Sequence, residues 1–134
     1  MSGKLEGVRI LIVDDDRDVL ESFEAALQAE GAETLAVQDG NAAVQAVMEE
    51  PPDLVVLDMM LPKRSGFLVL EKIKGFDEAP LVIMVTANEG HRHQAYAESL
   101  GVDRYLLKPV PLQHLVNTVV EMIEQEDAEL EAEE

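Results

Sequence analysis

The sequence predicts an α/β fold: a doubly wound parallel sheet with helices on both of its faces. Three observations carry this. Short apolar runs and amphipathic stretches alternate five times along the chain, the pattern of repeated βαβ units. Runs such as LVVL and LVIMV are apolar at every position, so they suit strands buried on both sides. Right-handed crossovers between such strands then restrict the topology to a doubly wound arrangement.

The elements follow in order. Val8–Val13 reads as the first strand. Val19, Leu20, Phe23, Ala26 and Leu27 recur at helical spacing, with Asp16 as N-cap and Gly31 as stop. Thr34–Val37 is a second short strand, and Asp39-Gly40 a turn. A helix from about Asn41 to Glu49 places Ala43, Val44 and Val47 on one side, and Pro51-Pro52 ends it. Leu54–Leu57 is the third strand, with Asp58 at its end. A loop through Pro62 and Gly66 leads into a helix carrying Phe67, Leu70 and Ile73, closed near Gly75. Leu81–Val85 is the fourth strand, ending at Thr86; His91–Leu100 is a weaker helix closed by Gly101. Val102–Leu107 is the fifth strand, ending at Lys108-Pro109, and Leu112, Leu115, Val116, Val119 and Ile123 mark the last helix. No internal repeat or long linker divides the chain.

The totals bound the function. With 134 residues and 47% hydrophobic content, the chain is long enough for one core and too apolar to be disordered in bulk. It has no cysteine, which excludes disulfides, thiolate metal sites and cysteine nucleophiles. The start, MSGKLEGVRILIV, lacks the long apolar stretch of a signal peptide, and no segment approaches bilayer length, so a cytoplasmic protein is expected. A net charge of −18 argues against direct contact with nucleic acid or an anionic membrane. Much of that charge is terminal: after Lys108 there is no Lys or Arg, while eight acidic residues lie between Glu121 and Glu134. The expectation is a last helix that frays into a solvated acidic tail, with an acidic interaction segment as the other reading.

Ligands of doubly wound sheets sit beyond the carboxyl ends of the strands, which makes the residues there informative. Strand one ends in Asp14 and Asp15, strand three in Asp58, strand four in Thr86 and strand five in Lys108. Singly, each has an ordinary explanation as a helix cap, a strand end or a solvated amine. Capping does not account for Asp58, because the next helix begins only near Ser65. Adjacent carboxylates make one another harder to ionise, so something must compensate them. Three carboxylates with room for water form a hard oxygen site, for which the expected cation is Mg²⁺. Asp16 is left to cap the first helix.

The segments DDD at 14–16, DLVVLDMMLPKRSG at 53–66, VTA at 85–87 and YLLKP at 105–109 closely resemble the receiver domain of two-component response regulators. The resemblance covers about residues 7–125, leaving 1–6 as an N-terminal extension and 126–134 as an acidic tail. It implies a (βα)5 flavodoxin-like three-layer fold with strand order 2-1-3-4-5. It also implies that Asp58 is the phosphoacceptor, taking a phosphoryl group from a histidine kinase or phosphotransfer protein. Asp14 and Asp15 correspond to the acidic pair that holds Mg²⁺, and Met60 to the residue whose backbone carbonyl joins them. Thr86 and Lys108 correspond to the groups that grip the phosphoryl oxygens, and Tyr105 to the aromatic switch position. Lys108-Pro109 matches a peptide bond usually cis in the family, and Met60 and Asn88 match positions bordering the path of the hydrolytic water. The chain is then a signalling module rather than an enzyme. Its output would be read from the face of the fourth helix, fifth strand and fifth helix by a partner protein or, after phosphorylation, a second copy.

Other readings fit less well. A phosphatase of the haloacid dehalogenase type needs an acid two residues beyond its nucleophilic Asp, and that position is Met60. A flavin carrier would want phosphate-cradling Ser/Thr/Gly loops, and three carboxylates would repel the phosphate. A receiver-like docking module that never becomes phosphorylated keeps the fold but leaves the acidic set unused. His91, His93 and His114 have no third ligand beside them and are expected at the surface, and Met59 and Met60 to pack a loop. No second, output domain is visible in the sequence, so signalling is expected by docking or within a longer chain.

Overall fold

A computed structural model describes residues 3–87 and 90–133. Five strands, β1 (Arg9–Val13), β2 (Glu33–Val37), β3 (Leu54–Asp58), β4 (Leu81–Thr86) and β5 (Arg104–Leu107), alternate with five helices. The helices are α1 (Arg17–Gln28), α2 (Gly40–Glu49), α3 (Gly66–Lys74), α4 (His91–Ser99) and α5 (Leu112–Glu133). The strands form one parallel sheet in the order β2-β1-β3-β4-β5, the doubly wound topology expected from the sequence.

The two-residue period of the strands sorts their side chains onto two faces. Ile10 and Ile12, Leu54 and Val56, Ile83 and Val85 join Leu20, Phe23 and Leu27 of α1 and Leu115, Val116 and Val119 of α5. Leu11 and Val13, Val55 and Leu57, Val82 and Met84 join Val44 and Val47 of α2, Val69, Leu70 and Ile73 of α3, and Ala97 of α4. Both faces being covered is the physical reason that these strands read as unbroken apolar runs.

Local capping sets the helix starts. Asp16 accepts from the backbone N–H groups of Asp18 and Val19, as its position predicts. Asp39, read from sequence as part of a turn, caps α2 through the Ala42 N–H, and Ser65 caps α3 through that of Leu68. Helix α1 stops at Gln28, and Gly31 takes the left-handed turn (φ +94°) toward β2. Helix α4 has no side-chain cap, and Ala97 is its one buried residue, in line with its weak periodicity.

The C-terminal end differs from expectation. Residues 126–133 do not form an irregular tail but continue α5 to Glu133. Glu, Ala and Leu are good helix formers, and nothing in EDAELEAE breaks a helix already nucleated on the core. At the other end, residues 3–6, within the N-terminal extension, pack against the domain. Leu5 is completely buried, and its N–H donates to the Glu30 carbonyl beyond α1.

Candidate functional site

The parallel register brings the predicted residues to one edge of the sheet. Val13 pairs with Leu57, Asp58 with Val85 and Thr86 with Leu107. Asp14 follows β1, Asp58 and Thr86 close β3 and β4, and Lys108 follows β5, its N–H donating to the Thr86 carbonyl at 2.9 Å. A second backbone bond, from the Asp14 N–H to the Val37 carbonyl, fixes the acidic end of β1.

These side chains are packed closely. Asp14, Asp58 and Thr86 are buried, whereas Asp15 is exposed. One carboxylate oxygen from each of Asp14, Asp15 and Asp58 lies within 4.8 Å of the others. The Lys108 ammonium sits between the two buried acids, 2.8 Å from Asp14 Oδ2 and 3.7 Å from Asp58 Oδ1. Asp14 also accepts the Asp16 N–H through its other oxygen.

The electrostatics follow from this crowding. Burial, then the charge of Asp14, pushes the Asp58 carboxyl up from 3.8 to about 6, against the opposing pull of Lys108 and the Met60 N–H. Burial alone would lower Lys108. Its hydrogen bond to Asp14 and the charges of Asp58, Asp14 and Asp15 outweigh that and hold the ammonium more firmly protonated. The arrangement is a nucleophile-capable carboxylate short of positive charge, beside a fixed cation. Three hard oxygen donors this close together suit a small divalent cation such as Mg²⁺.

The loop from β3 to α3 is built to keep Asp58 in place. A Cβ on Gly66 would lie 2.4 Å from the Asp58 carbonyl oxygen and 2.6 Å from Met59 Cα, so only glycine fits there. The Gly66 N–H bonds to the Met59 carbonyl, and Lys63 pairs with Asp39 across to α2. Sequence reading treated Gly66 as a loop marker. Its close backbone approach is a tertiary fact, with the Ser65 cap beside it as the available signal.

The remaining predicted residues are distributed around this centre. Met59 is buried in the core, while Met60 projects from the loop, 69% exposed. Tyr105 pairs with Met84 in the sheet and is half-buried, which raises its phenol above its ordinary value. The Lys108-Pro109 peptide bond is cis. Asn88 lies outside the described residues. Ala87, Lys108, Pro109, Leu112 and, from α1, Val19 and Phe23 line a shallow hollow of about 560 Å³ next to the acidic cluster.

Two of the three histidines, His91 and His114, are exposed as expected, but His93 is not fully so. It stacks on Phe67 of α3 with ring centroids 6.0 Å apart, and its Nδ1 is buried. Tyr96 meets the same Phe67 ring edge-on at 5.0 Å. Aromatic contacts therefore hold a helix that lacks an aliphatic stripe.

The family model of the response regulator receiver domain matches residues 10–120. The chain belongs to this family. Receiver domains are phosphoacceptor signalling modules rather than enzymes. A CheY-like receiver protein from Methanospirillum hungatei is 30% identical, with a TM-score of 0.87 over 93% of this chain and 98% of the other. A chain of the CheX–CheY–BeF3–Mg²⁺ complex from Borrelia burgdorferi is 25% identical, with a TM-score of 0.82 over 88% of this chain and 90% of the other. NtrX from Brucella abortus is also 25% identical, with a TM-score of 0.87. Here the match covers 99% of this chain but 29% of the NtrX chain, so it runs on through the acidic end of α5. Among the described residues, no helix is long and apolar enough to cross a membrane.

Proposed function

We propose that this receiver acts in the cytoplasm and takes a phosphoryl group on Asp58 from a histidine kinase or phosphotransfer protein, dependent on Mg²⁺. The observation that carries the reading is the crowding of Asp14, Asp15 and Asp58 around one Lys108 ammonium. Asp58 attacks as the carboxylate. Its oxygen forms the new P–O bond as the donor's P–N bond breaks, and the leaving imidazole keeps the electron pair of that bond. Asp14, Asp15, Asp58 and the Met60 carbonyl would hold Mg²⁺, which supplies charge neutralisation at the transferring group. Lys108, 3.7 Å from Asp58 Oδ1, would reach the oxygens of a phosphoryl group on Asp58.

A phosphoryl group brings roughly 1.5 to 2 negative charges and three strong acceptors to this edge. Thr86 and Lys108 move toward it, and the space left by Thr86 is taken by Tyr105. The α4-β5-α5 face thereby changes shape, biased between two states by the new contacts. The capless α4, held by aromatic contacts, is the natural element to shift. Beryllofluoride as a phosphoryl mimic would perturb amides across residues 86–108 and part of α5. NMR shifts confined to the acidic cluster would overturn this switch.

The phosphorylated state is expected to last minutes or longer. Met60 is long, apolar and placed two residues beyond Asp58, so it shields the approach of water and cannot orient it. Asn88, the other bordering position, can hydrogen-bond but is no base. Decay after removal of the phosphodonor should quicken in Met60→Asn.

Incubation with acetyl phosphate or phosphoramidate and Mg²⁺, read by intact mass, tests the central proposal. One added phosphoryl is expected on the wild type, with loss of labelling on chelation of the metal. Equal labelling of Asp58→Asn would overturn it.

A further inference from the structure

We propose that the groove on the outer face of α3 receives the acidic C-terminal turns of α5 from a second copy of this chain. The groove, about 550 Å³, is lined by Arg64, Leu68, Glu71, Lys72, Gly75 and Phe76. Leu68 is 55% exposed within it, and the Lys72 ammonium lies 5.9 Å from the centre of the Phe76 ring. It is an apolar strip with cations beside it, on a chain whose net charge is −18. Most other cations are already engaged: Arg9 with Glu33 and Glu50, Lys63 with Asp39, Lys74 with Asp103, Arg104 with Glu121 and Lys108 with Asp14. Among the described residues, neither Arg64 nor Lys72 has a carboxylate within ion-pair distance.

The far end of α5 has the opposite need. From Glu124 to Glu133 it carries six carboxylates and no cation, and one large apolar side chain, Leu130, is 55% exposed among them. Helix C-termini are negative ends of the peptide dipole and favour basic side chains, yet the last turn of α5 has none. Its carboxylates also crowd acids elsewhere: Glu126 is pushed up by burial and by Asp53, Asp127, Asp103 and Glu129. A surface that offers Arg64 and Lys72 to these carboxylates, and Leu68 and Phe76 to Leu130, answers both deficits.

The contact has to be intermolecular. Helix α5 packs on the face shared with α1, whereas α3 packs on the opposite face, and α5 is one unbroken helix to Glu133. Reaching its own α3 would require that helix to break. Two chains of this charge repel at long range, so the association is weak. It is strongest at intermediate ionic strength, where distant repulsion is screened more than touching pairs.

The absence of cysteine makes a direct test simple. Glu131→Cys is labelled with a nitroxide in an unlabelled-isotope copy and mixed with ¹⁵N-labelled wild type at moderate salt. Amides of α3 around Leu68 and Lys72 should broaden. Arg64→Glu with Lys72→Glu in the ¹⁵N copy should abolish that broadening. Pairing this double variant with a spin-labelled copy bearing Glu126→Lys, Glu129→Lys and Glu133→Lys should restore it. Absence of α3 broadening in the wild-type mixture would overturn the proposal. So would broadening on another surface, or broadening indifferent to the charge reversal on α3.

Discussion

Both ends of the sheet are charged, and they handle charge in opposite ways. At the end where the strands begin, acids outnumber bases, but each of these bases meets a carboxylate, mostly at the surface: Arg9 with Glu33 and Glu50, Lys74 with Asp103, Arg104 with Glu121. The Asp103 carboxylate there also accepts the Val82 N–H, and Lys74 donates to the Pro80 carbonyl, so the charges double as staples for the backbone. At the end where the strands finish, three carboxylates face one ammonium and two of the three are buried. A fold seeking only stability would not leave that surplus. Buried charge that one ammonium only partly compensates is what the proposed Mg²⁺ and phosphoryl transfer would draw on.

The sharpest way to break the contrast is to neutralise one carboxylate at each end. Asp58→Asn should lose phosphorylation completely, whereas Asp53→Asn, whose side chain accepts the Arg9 N–H at the opposite end of β3, should be labelled like the wild type. Intact-mass measurement after treatment with a small phosphodonor distinguishes them.

A second comparison uses glycines. Gly66→Ala forces a Cβ against the Asp58 carbonyl and should cost about 2–3 kcal/mol, visible as a lower denaturation midpoint. Gly75→Ala, whose Cβ would meet nothing closer than the Lys72 carbonyl at 3.4 Å, should change stability far less.

Acidity sharpens the contrast further. Since Asp58 is raised from 3.8 to about 6, the native protein holds this proton more tightly than the unfolded chain does. The charged form therefore costs stability above pH 6, by about 1–3 kcal/mol, and the cost fades as pH falls through 6 toward 4. Metal-free Asp58→Asn should melt higher than the wild type at neutral pH, with the gap closing in acid. Adding Mg²⁺ should stabilise the wild type, by about 1.4 kcal/mol at tenfold excess over its dissociation constant, and Asp15→Asn should reduce that gain. Equal melting of wild type and Asp58→Asn at neutral pH would show that the crowding carries no energy.

The smallest effect belongs to the other end. Arg104→Ala removes an exposed pairing with Glu121 at 3.8 Å, with bonds to Gln125 and the Asp103 carbonyl, and should alter unfolding free energy by less than about 1 kcal/mol, with the difference shrinking at high salt.

Most of this architecture is legible in the sequence because it depends on local pattern. Apolar runs of strand length, helical spacing such as Leu20–Phe23–Leu27, and carboxylates at strand ends report directly on burial and on the sheet edge. What escapes is of three kinds. Composition misleads for residues 126–133, where acidity suggests solvation but the residue types still favour helix. Packing between distant segments is invisible to periodicity, as with His93 on Phe67 and Gly66 on Asp58. The pairing of Lys108 with Asp14 rather than chiefly with Asp58 depends on side-chain reach across strands, which no spacing encodes.

Leu5 has a practical consequence for anyone splicing this receiver into a chimeric regulator. The side chain belongs to the same apolar cluster as Leu27, Ala32 and Val120, and Val8 donates its N–H back to the Leu5 carbonyl. The chain thus makes a small hook that plugs the corner between α1 and β2 before the sheet begins. A graft joined at Arg9, the first residue of β1, would remove the plug and leave a hole costing about 2–5 kcal/mol, much of a typical domain's margin. The junction belongs ahead of Gly3, where an added linker meets the hook and not the core.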